Sequence, residues 1–389
     1  MKKRKILFLP ADSLPLFTTR SHYLANEIGK YHFVYLLRWS DPRTKGWIKG
    51  KYSKLDSFFS FIKSLCSPVK IYKNSQFKFK IIYSPVMSNA FIGKLLGRLR
   101  ARKIARKFNK RVIKFLVKKF SINTIFYADG FYYFPFIEKR GVKIFGDIQD
   151  DFDEPNEDIM KEEIKYFSKC FSKCKKIYVV TPFIAERFSS IYNLDFEWLP
   201  NGVDFEKYKN TPQKRIDKIK KSMNLENKYI ISYIGSSSHL DWKFVQLLSY
   251  TLYEELPDAI LLIIGSKSPF KSLKNIININ FISPQDVHLY FLISDVGIFC
   301  PPNLNSKFIF HSLPLKIIHY SAAKKFVISF PIKWLEENLF PNIRILPPDT
   351  EKWVIELKNL KSQKWQKEWD KMWERYDWKN IIKAVLKEI

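Results

Sequence analysis

Short apolar runs that end in glycine or a polar turn recur along the second half of the chain, and they restrict its fold more than any other feature. Residues 229–235 read Tyr-Ile-Ile-Ser-Tyr-Ile-Gly, and residues 259–265 read Ala-Ile-Leu-Leu-Ile-Ile-Gly. Shorter runs follow at 279–282 and 296–300. Largely apolar runs of this length are typical of strands that are buried on both faces of a parallel sheet. We therefore predict a doubly wound α/β domain in this half.

The first half of the chain has the same order of strands and helices. A buried strand is predicted at 5–9, a helix around 21–28 and a second strand at 32–37, with further strands at 124–127 and 143–148. Short connections in this order are typical of βαβ units in a parallel sheet. The glycine fingerprint of a dinucleotide site is missing from the first turn, which argues against a nicotinamide or flavin cofactor.

The length of 389 residues, of which 46% are hydrophobic, is enough for two such domains. Residues 207–227 are polar and charged and have no strand pattern, so we expect a linker there. This divides the chain into an N-terminal domain at 1–206 and a C-terminal domain at 228–374. An amphipathic helix is predicted at about 375–389, with Asp377 as its cap.

The cysteines and the hydropathy pattern favour a reducing, cytoplasmic setting. Four cysteines in so long a chain do not form a disulfide framework, and Cys170 and Cys174 lack a second pair of ligands at zinc spacing. No run of about 18 or more uncharged apolar residues occurs, so no membrane span is expected. The apolar run at 6–10 is too short for a signal peptide and is interpreted as the first strand.

The formal net charge of +29 points to an anionic partner: nucleic acid, a membrane surface or a phosphorylated substrate. A lysine-biased proteome is the alternative explanation, but the charge is unevenly spread. No acidic residue occurs in 57–128, and basic residues concentrate in 94–119. The apolar spacing loses its phase near 100–103, which predicts a kink or two helices.

Residues 94–119 are therefore predicted to form a basic amphipathic helical region. We expect it to attach the protein to an anionic membrane surface. A plain surface helix and contact with nucleic acid remain as alternatives. Nucleic acid is the least favoured of the three, because no helix-turn-helix, zinc finger or aromatic RNA-binding signature accompanies the basic residues.

A cluster of acidic residues stands out in this basic chain. Closely spaced carboxylates can hold a divalent metal, but acids just before a helix, predicted here at 158–173, more often cap it and complement its dipole. Both interpretations stay open for the cluster. It consists of Asp147, Asp150, Asp151, Asp153 and Glu154.

A predicted helix begins near Pro314 and is followed at once by a strand at 326–329. Pro314 suits the first turn, and Ser312 is a candidate cap. A lysine at a helix N-terminus, here Lys316, favours binding of a diphosphate, because the unpaired N–H groups and the helix dipole both attract negative charge. A helix that serves only for packing is the alternative.

Several motifs in this order resemble those of GT-B glycosyltransferases, specifically family 4. They are Pro-Asn-Gly-Val-Asp at 200–204, Gly235 at the end of a strand, Leu-Asp-Trp at 240–242, and the helix that begins Pro-Leu-Lys at 314–316. The last is similar to the helix of a subgroup that reads Pro-Leu-Lys-x-x-Glu-Tyr. The resemblance implies two Rossmann-like domains that face each other across a cleft, with the C-terminal helix packed on the first domain.

The same resemblance implies a nucleotide-diphosphate sugar in the cleft, retention of the anomeric configuration and no catalytic metal or other cofactor. It also implies an N-domain residue near the acceptor, for which Asp129 is the candidate catalytic residue. The donor-binding residues implied at matching positions are Gly235, Ser236, Asp241, Lys243, His311, Pro314, Leu315, Lys316 and His319.

His311 and His319 stand where the family has two glutamates separated by seven residues. Histidine can bond hydroxyl groups through either ring nitrogen, and we expect its charge to vary near neutral pH. A partly buried side chain with an ordinary backbone partner is the alternative for each of them.

The sequence thus predicts a cytoplasmic glycosyltransferase, peripheral at the inner face of the cell membrane, that moves a hexose to a lipid-linked or surface-glycan acceptor. The alternative is a non-catalytic protein of the same fold that binds nucleic acid or a partner protein through its basic surface.

Overall fold

The computed structural model describes residues 3–10, 19–39, 69–73, 77–84, 97–129, 131, 134–149, 157–236, 239–270, 273, 275–302 and 313–389. The chain divides into two compact units. The first unit is Met1–Pro200 together with Ile382–Ile389, and the second is Asn201–Ile381. Among the helices of the described residues, none is long and apolar enough to span a bilayer.

The first unit contains a sheet of eight strands in the order β3-β4-β2-β1-β5-β6-β7-β8. All neighbouring strands are parallel except the β3–β4 pair. The strands are β1 Lys5–Pro10, β2 Phe33–Trp39, β3 Lys70–Lys73, β4 Phe79–Ser84, β5 Thr124–Ala128, β6 Lys143–Ile148, β7 Lys176–Val179 and β8 Glu197–Trp198. The helices are α1 Arg20–Gly29, α2 Arg98–Lys119, α3 Glu157–Phe171 and α4 Pro182–Tyr192.

The second unit contains a fully parallel sheet of six strands in the order β11-β10-β9-β12-β13-β14. Its strands are β9 Tyr229–Ile234, β10 Ala259–Ile264, β11 Ile276–Ile279, β12 Val296–Phe299, β13 Phe326–Ser329 and β14 Ile343–Ile345. Its helices are α5 Phe205–Lys209, α6 Gln213–Ser222, α7 Trp242–Glu255, α8 Val287–Ile293, α9 Leu315–Ala322, α10 Lys333–Asn338, α11 Thr350–Leu360 and α12 Trp369–Glu374. The last helix, α13 Trp378–Glu388, contains the boundary at Ile381.

The apolar runs form the buried strands that the pattern predicted. Every residue of β9 is buried, and β1 is buried from Ile6 onward. In the first unit the rings of Phe8, Phe126 and Phe145, on adjacent strands, stack with centroids 4.9 and 4.8 Å apart. Burial of such side chains on both faces of the two sheets supplies the main driving force for folding.

Residues 207–227 lie inside the second unit, whose boundary with the first is at Pro200. Much of this stretch is helical, in α5 and α6. The stretch has the charged composition of a linker because its lysines cover the solvated face of α6. Ile216 on the other face of this helix is buried.

Strand β11 ends where the sequence pattern predicted a strand to begin, at Ile279. The predicted strand at 279–282 is therefore displaced by three residues. Asn278 explains the difference, because its side-chain amide donates to the carbonyl groups of Ile263 and Ser266 and makes a polar residue suitable for the strand. Phe281 beyond the strand is 70% exposed.

Helix α2 is continuous over 22 residues, so the kink predicted near 100–103 is absent from this described helix. Two arginines of this helix, Arg102 and Arg106, face inward, whereas Arg100 is exposed. Arg106 and Arg102 contact the buried carboxylate of Glu163 on α3, at 2.6 and 3.7 Å. A paired arginine can occupy a buried helix position that the pattern assigns to an apolar residue.

Candidate functional site

A glycine turn, residues 235–236, follows β9 and lies against two other elements. Gly235 has a φ of +154°, and a Cβ atom added there would lie 3.1 Å from Nζ of Lys316 on α9. The turn after β10 also lies close to Gly235. A Cβ atom added to Gly265 would lie 2.9 Å from the carbonyl oxygen of Gly235. Glycine is needed at both positions because a side chain would displace the backbone or the lysine.

Hydrogen bonds hold the glycine turn in place. The amide of Gly235 donates to the carbonyl of Ile264 at 2.9 Å, and the hydroxyl of Ser266 donates to the carbonyl of Gly235 at 2.7 Å. The carbonyl of Ser236 accepts from the Tyr233 hydroxyl at 2.7 Å and from the amide of His239 at 3.2 Å. The backbone of the turn is therefore fixed before any ligand binds.

Lys316 lies in the first turn of α9 and points at the glycine turn. Its Nζ donates to the Tyr233 hydroxyl at 3.0 Å and lies 4.4 and 4.6 Å from the ring centroids of Tyr233 and Phe299. Within the described residues no carboxylate lies within 4 Å of this amine. Burial lowers the pKa of Lys316 to about 7. A half-buried amine with aromatic faces and, in the described part of the chain, no carboxylate partner favours an anionic ligand.

The start of α9 differs slightly from the prediction. Pro314 is the N-cap residue, with a φ of −61°, rather than a residue of the first turn. Ser312, the predicted cap, lies outside the described residues, as does His311. Leu315 packs against the core of the second unit. Because the first turn of a helix leaves backbone N–H groups without intrahelical partners, Lys316 adds its charge to an end that already favours anions.

Two buried hydrogen-bond networks fix α9 on the sheet. The hydroxyl of Tyr320 donates to the carbonyl of Ser232 at 2.7 Å, and its ring packs on Gly297, where a Cβ would clash at 2.5 Å. Asn342 donates to the hydroxyl of Ser321 at 3.0 Å. These contacts determine where Lys316 and His319 project.

His319 makes one hydrogen bond and one stacking contact through its ring. Its Nδ1 lies 2.5 Å from the hydroxyl of Tyr208, and its ring stacks on Phe291 with centroids 5.0 Å apart. Burial, followed by the charges of Lys207 and His288, lowers the pKa of His319 to about 3. The expectation that its charge varies near neutral pH is therefore wrong, because a desolvated imidazole beside cationic groups stays neutral.

Comparisons in sequence find no relative, since no protein-family model and no curated protein match this chain. Solved structures match along its whole length. A glycosyltransferase from Rickettsia africae has 16% identity and a TM-score of 0.63, over 100% of this chain and 98% of that one. Sucrose-phosphate synthase from Thermosynechococcus elongatus has 13% identity and a TM-score of 0.63, over 99% and 98%. The HepE protein of Anabaena, solved with UDP and glucose, has 11% identity and a TM-score of 0.63, over 99% and 98%.

This protein has the GT-B fold. The two Rossmann-like units predicted from the strand pattern are thus confirmed as the two domains of that fold. The glycine turn and Lys316 lie at the carboxyl end of β9 and the start of α9 in the second domain. Crevices at the carboxyl ends of strands are where open α/β sheets bind their ligands.

Asp241 and Lys243, two other predicted donor-binding residues of the second GT-B domain, belong to the start of α7. The carboxylate of Asp241 accepts from the amides of Lys243 and Phe244 at 3.0 and 3.1 Å, so Asp241 is the N-cap. Its own amide donates to the carbonyl of Cys300 at 2.7 Å. Lys243 is exposed. Helix capping thus accounts for Asp241, and a role for either residue in binding stays a prediction.

Sequence reasoning missed two residues of this site, Tyr233 and His239. Tyr233 joins the turn to Lys316, and the pKa of His239 is lowered by burial and by the charge of Lys316. Tyr233 lies two residues before Gly235, so it shares a face of the strand with it. That spacing is the signal by which the sequence could have revealed the tyrosine.

Asp129, the candidate catalytic residue, follows β5 in the first GT-B domain. It has a φ of +53°, its carboxylate accepts from the amide of Gln149 at 2.8 Å, and its own amide donates to the carbonyl of Asp147 at 2.9 Å. These bonds connect the ends of β5 and β6. The positive φ is of the kind found at functional sites, but the hydrogen bonds between the two strands also explain why Asp129 is there. A catalytic role for Asp129 therefore stays a prediction.

Asp147 has a structural partner. The Nε of Arg20 lies 3.0 Å from its carboxylate, and both side chains are buried. Burial raises the pKa of Asp147, and the guanidinium of Arg20 opposes this. The other residues of the acidic cluster, Asp150, Asp151, Asp153 and Glu154, lie outside the described residues.

Proposed function

We propose that this protein is a glycosyltransferase of family 4, in the Pro-Leu-Lys subgroup, that transfers a hexose from a nucleotide-diphosphate sugar with retention of configuration. The observation that carries the proposal is Lys316, a half-buried amine without a carboxylate partner among the described residues, next to a glycine turn. The similarity in fold to glycosyltransferases, one of them solved with UDP and glucose, supports it.

The chemistry requires stabilisation of the leaving group. The bond between the sugar's anomeric carbon and the diphosphate breaks, a bond to the acceptor hydroxyl forms, and the acceptor proton is released. Negative charge grows on the diphosphate as its bond breaks. A fixed cation at Lys316 and the backbone of the glycine turn stabilise that charge without reorganisation. Pro314, Leu315, Asp241, Lys243, His311 and His319 are the other proposed donor-binding residues.

A thermal-shift panel of UDP, GDP and ADP sugars tests this function, with UDP-glucose first because of the HepE complex. A donor that binds only the folded state raises Tm. At 100 times Kd it increases the free energy of unfolding by about 2.7 kcal/mol. Lys316→Met should weaken binding and reduce the shift. Lys325→Met is the matched control, because Lys325 is also a half-buried lysine of this unit with a lowered pKa but lies near Asp295. A wild-type protein that none of the sugars stabilises would contradict the proposal.

The acceptor is proposed to be lipid-linked or a surface glycan, presented at an anionic membrane that contacts residues 94–119. Within this region α2 has one exposed face along its length. Ile104 and Phe115 on it are 39% and 50% exposed. Among the described residues, Glu162 is the acid that pairs with this face, at Lys103. Its cations are Arg100, Lys103, Lys107, Lys110, Arg111, Lys114, Lys118 and Lys119.

Such a face fits the negative surface of the cytoplasmic leaflet, where each lysine or arginine contributes about 1 kcal/mol. The exposed apolar side chains fit the boundary between headgroups and acyl chains. A peripheral position at the inner face of the cell membrane, in the cytoplasm, follows from this proposal.

Vesicle flotation tests the membrane contact. The wild type should float with vesicles containing phosphatidylserine but not with neutral vesicles, and K107E/K110E/K114E should lose this preference. The control K214E/K218E/K221E makes the same change in net charge on the exposed face of α6. Equal loss in both variants would indicate a general charge effect and contradict a specific role for α2.

The proposed catalytic role of Asp129 is tested by two variants. Asp129→Asn keeps the acceptor oxygen for the amide of Gln149 but removes the charge, whereas Asp129→Ala removes both. If the carboxylate acts on the acceptor, Asp129→Asn should lower kcat with little change in Tm. If Asp129 serves only to accept the hydrogen bond from Gln149, Asp129→Asn should be active and Asp129→Ala should lower Tm.

A further inference from the structure

The Tyr233 hydroxyl is shared between Lys316 and the glycine turn. Its oxygen lies 2.7 Å from the carbonyl of Ser236 and 3.0 Å from Nζ of Lys316. A carbonyl can only accept, so the single proton of the hydroxyl is used on Ser236. Toward Lys316 the hydroxyl can therefore only accept. This fixes the direction of the chain of hydrogen bonds, from the amine to the hydroxyl and on to the turn.

The other neighbours of Lys316 do not orient its amine in this way. The faces of Tyr233 and Phe299 attract a cation without fixing the direction of its N–H bonds. Burial, followed by the charge of Asp241, raises the pKa of Cys300 to about 12, so its thiol is neutral. The backbone amide of His239 donates to the carbonyl of Ser236 and not to the amine. Among the described neighbours, the hydroxyl is thus the group that sets the position of the amine.

We propose that Tyr233 is a positioning residue, whose hydroxyl holds the Lys316 amine at the glycine turn so that the two together bind one diphosphate. This rests on the proposed function, since it assumes that the ligand is a nucleotide-diphosphate sugar. Tyr233 then acts through Lys316 and does not contact the diphosphate itself. Removal of the hydroxyl leaves the ring in place but takes the acceptor away from the amine and leaves the carbonyl of Ser236 with the amide of His239.

Binding should also change the protonation of the site. The groups that face Lys316 are Tyr233, Phe299, Cys300 and His239, and burial lowers the pKa of the lysine to about 7. A bound diphosphate favours the charged amine, so above pH 7 binding should take up a proton. A nucleotide sugar has no phosphate group that titrates in this range, so the uptake reports on the protein.

Tyr233→Phe tests the proposal against Tyr229→Phe. Tyr229 lies on the same strand, has Lys361 4.9 Å over its ring and donates to the carbonyl of Leu357 at 3.0 Å, away from the turn. With the nucleotide sugar that raises Tm most, calorimetry should show affinity about 10- to 150-fold lower for Tyr233→Phe, the usual range for a lost hydrogen bond to a charged group. Tyr229→Phe should bind like the wild type.

Two further measurements separate positioning from a general structural effect. In a Lys316→Met background Tyr233→Phe should lower affinity by less than about twofold, because residues that act through one another are not additive. At pH 8, titration in buffers of different ionisation enthalpy should show uptake approaching one proton for the wild type and for His239→Asn. It should show less for Tyr233→Phe and none for Lys316→Met.

Equal affinity and proton uptake in Tyr233→Phe and the wild type would overturn this proposal while leaving the proposed function intact. Additive losses with Lys316→Met would overturn it as well. If Tyr233→Phe does not fold, Tyr233→Met provides a second side chain of similar length without the hydroxyl. A wild-type protein that binds no nucleotide sugar would overturn both the function and this proposal.

Discussion

The hydroxyl oxygen of Tyr208 lies 2.5 Å from Nδ1 of His319. Tyr208 belongs to α5, in the stretch that the sequence suggested was a linker, and His319 belongs to α9, the helix that carries Lys316. The contact therefore ties the first helix of the second unit to the candidate donor site. It also assigns one ring nitrogen of His319, Nδ1, to a protein partner.

Removal of this contact should destabilise the second unit. Tyr208→Phe deletes one hydrogen bond and should lower the free energy of unfolding by about 0.5–1.5 kcal/mol. His319→Ala also removes the stacking on Phe291 and should cost about 1–3 kcal/mol. Urea unfolding measures both. Variants as stable as the wild type would show that the contact contributes nothing.

Acid should weaken the fold through three buried histidines. Burial is the main cause that lowers the pKa of His22 and His319 to about 3 and that of His288 to about 4. Below pH 6.5 the unfolded chain binds protons that the folded protein does not. Stability is therefore fully present above pH 6.5 and falls as the pH falls toward 3, by at most about 1.4 kcal/mol per pH unit for each histidine.

Urea unfolding at pH 7.5, 6.5, 5.5 and 4.5 measures this loss. His22→Gln should make the dependence less steep, because one titrating group is removed. The control is His239→Gln, because the pKa of His239 is also lowered but its side chain is more exposed than the other three, so the effect should be smaller. A stability that is constant over this range would contradict the prediction.

Lys316→Met should stabilise the protein while it weakens nucleotide binding. The pKa of Lys316 is lowered to about 7, so between pH 7 and 10.5 the unfolded chain binds a proton that the folded protein does not. The cost of burying the charge is thus largest at and below pH 7 and disappears as the pH rises toward 10.5. The expected gain is about 1–3 kcal/mol at pH 6.5 and close to zero at pH 10. Chemical denaturation at both values measures it, and an equal gain at both would contradict the pKa shift.

Gly265→Ala, in the turn after β10, should displace the backbone of the glycine turn at 235–236. Its φ is +84°, and the added Cβ would lie 2.9 Å from the carbonyl of Gly235. Gly141 has a φ of +80°, but no atom of the described residues lies within 4 Å of its Cβ position, which makes Gly141→Ala the control for backbone strain alone. Both should lose about 1–2 kcal/mol from strain. We expect only Gly265→Ala to lower nucleotide affinity as well, measured by calorimetry.

The buried pair of Arg20 and Asp147 should be sensitive to the loss of one partner. Arg20→Leu leaves the carboxylate of Asp147 buried without its guanidinium and should cost about 3–5 kcal/mol. Arg20→Leu with Asp147→Leu should recover much of this loss. The exposed pair of Lys358 and Glu255 is the control, since Lys358→Ala should change stability by less than about 1 kcal/mol. Equal effects of the two single variants would contradict the difference in burial.

Much of the fold could be predicted from the sequence because it depends on local apolar runs. The runs that form β9 and β10 are continuously apolar, as expected for strands buried on both faces, and the glycines that follow them mark their ends in the sequence. Strand β11 could be placed only to within three residues, because Asn278 is made acceptable there by carbonyl groups distant in sequence. The helices at 207–227 were missed because their lysines outnumber their buried residues.

The sequence by itself determined that the chain contains two largely parallel sheets and that Lys316 lies at the start of a helix before β13. Only the tertiary structure decided what surrounds that lysine. The proximity of Tyr233, Phe299 and the glycine turn, and the absence of a carboxylate among the described neighbours, depend on how α9 packs on the sheet. The neutral state of His319 likewise depends on burial by α5 and α8. Apolar periodicity is a property of neighbouring residues, whereas desolvation and charge pairing arise between elements that only folding brings together.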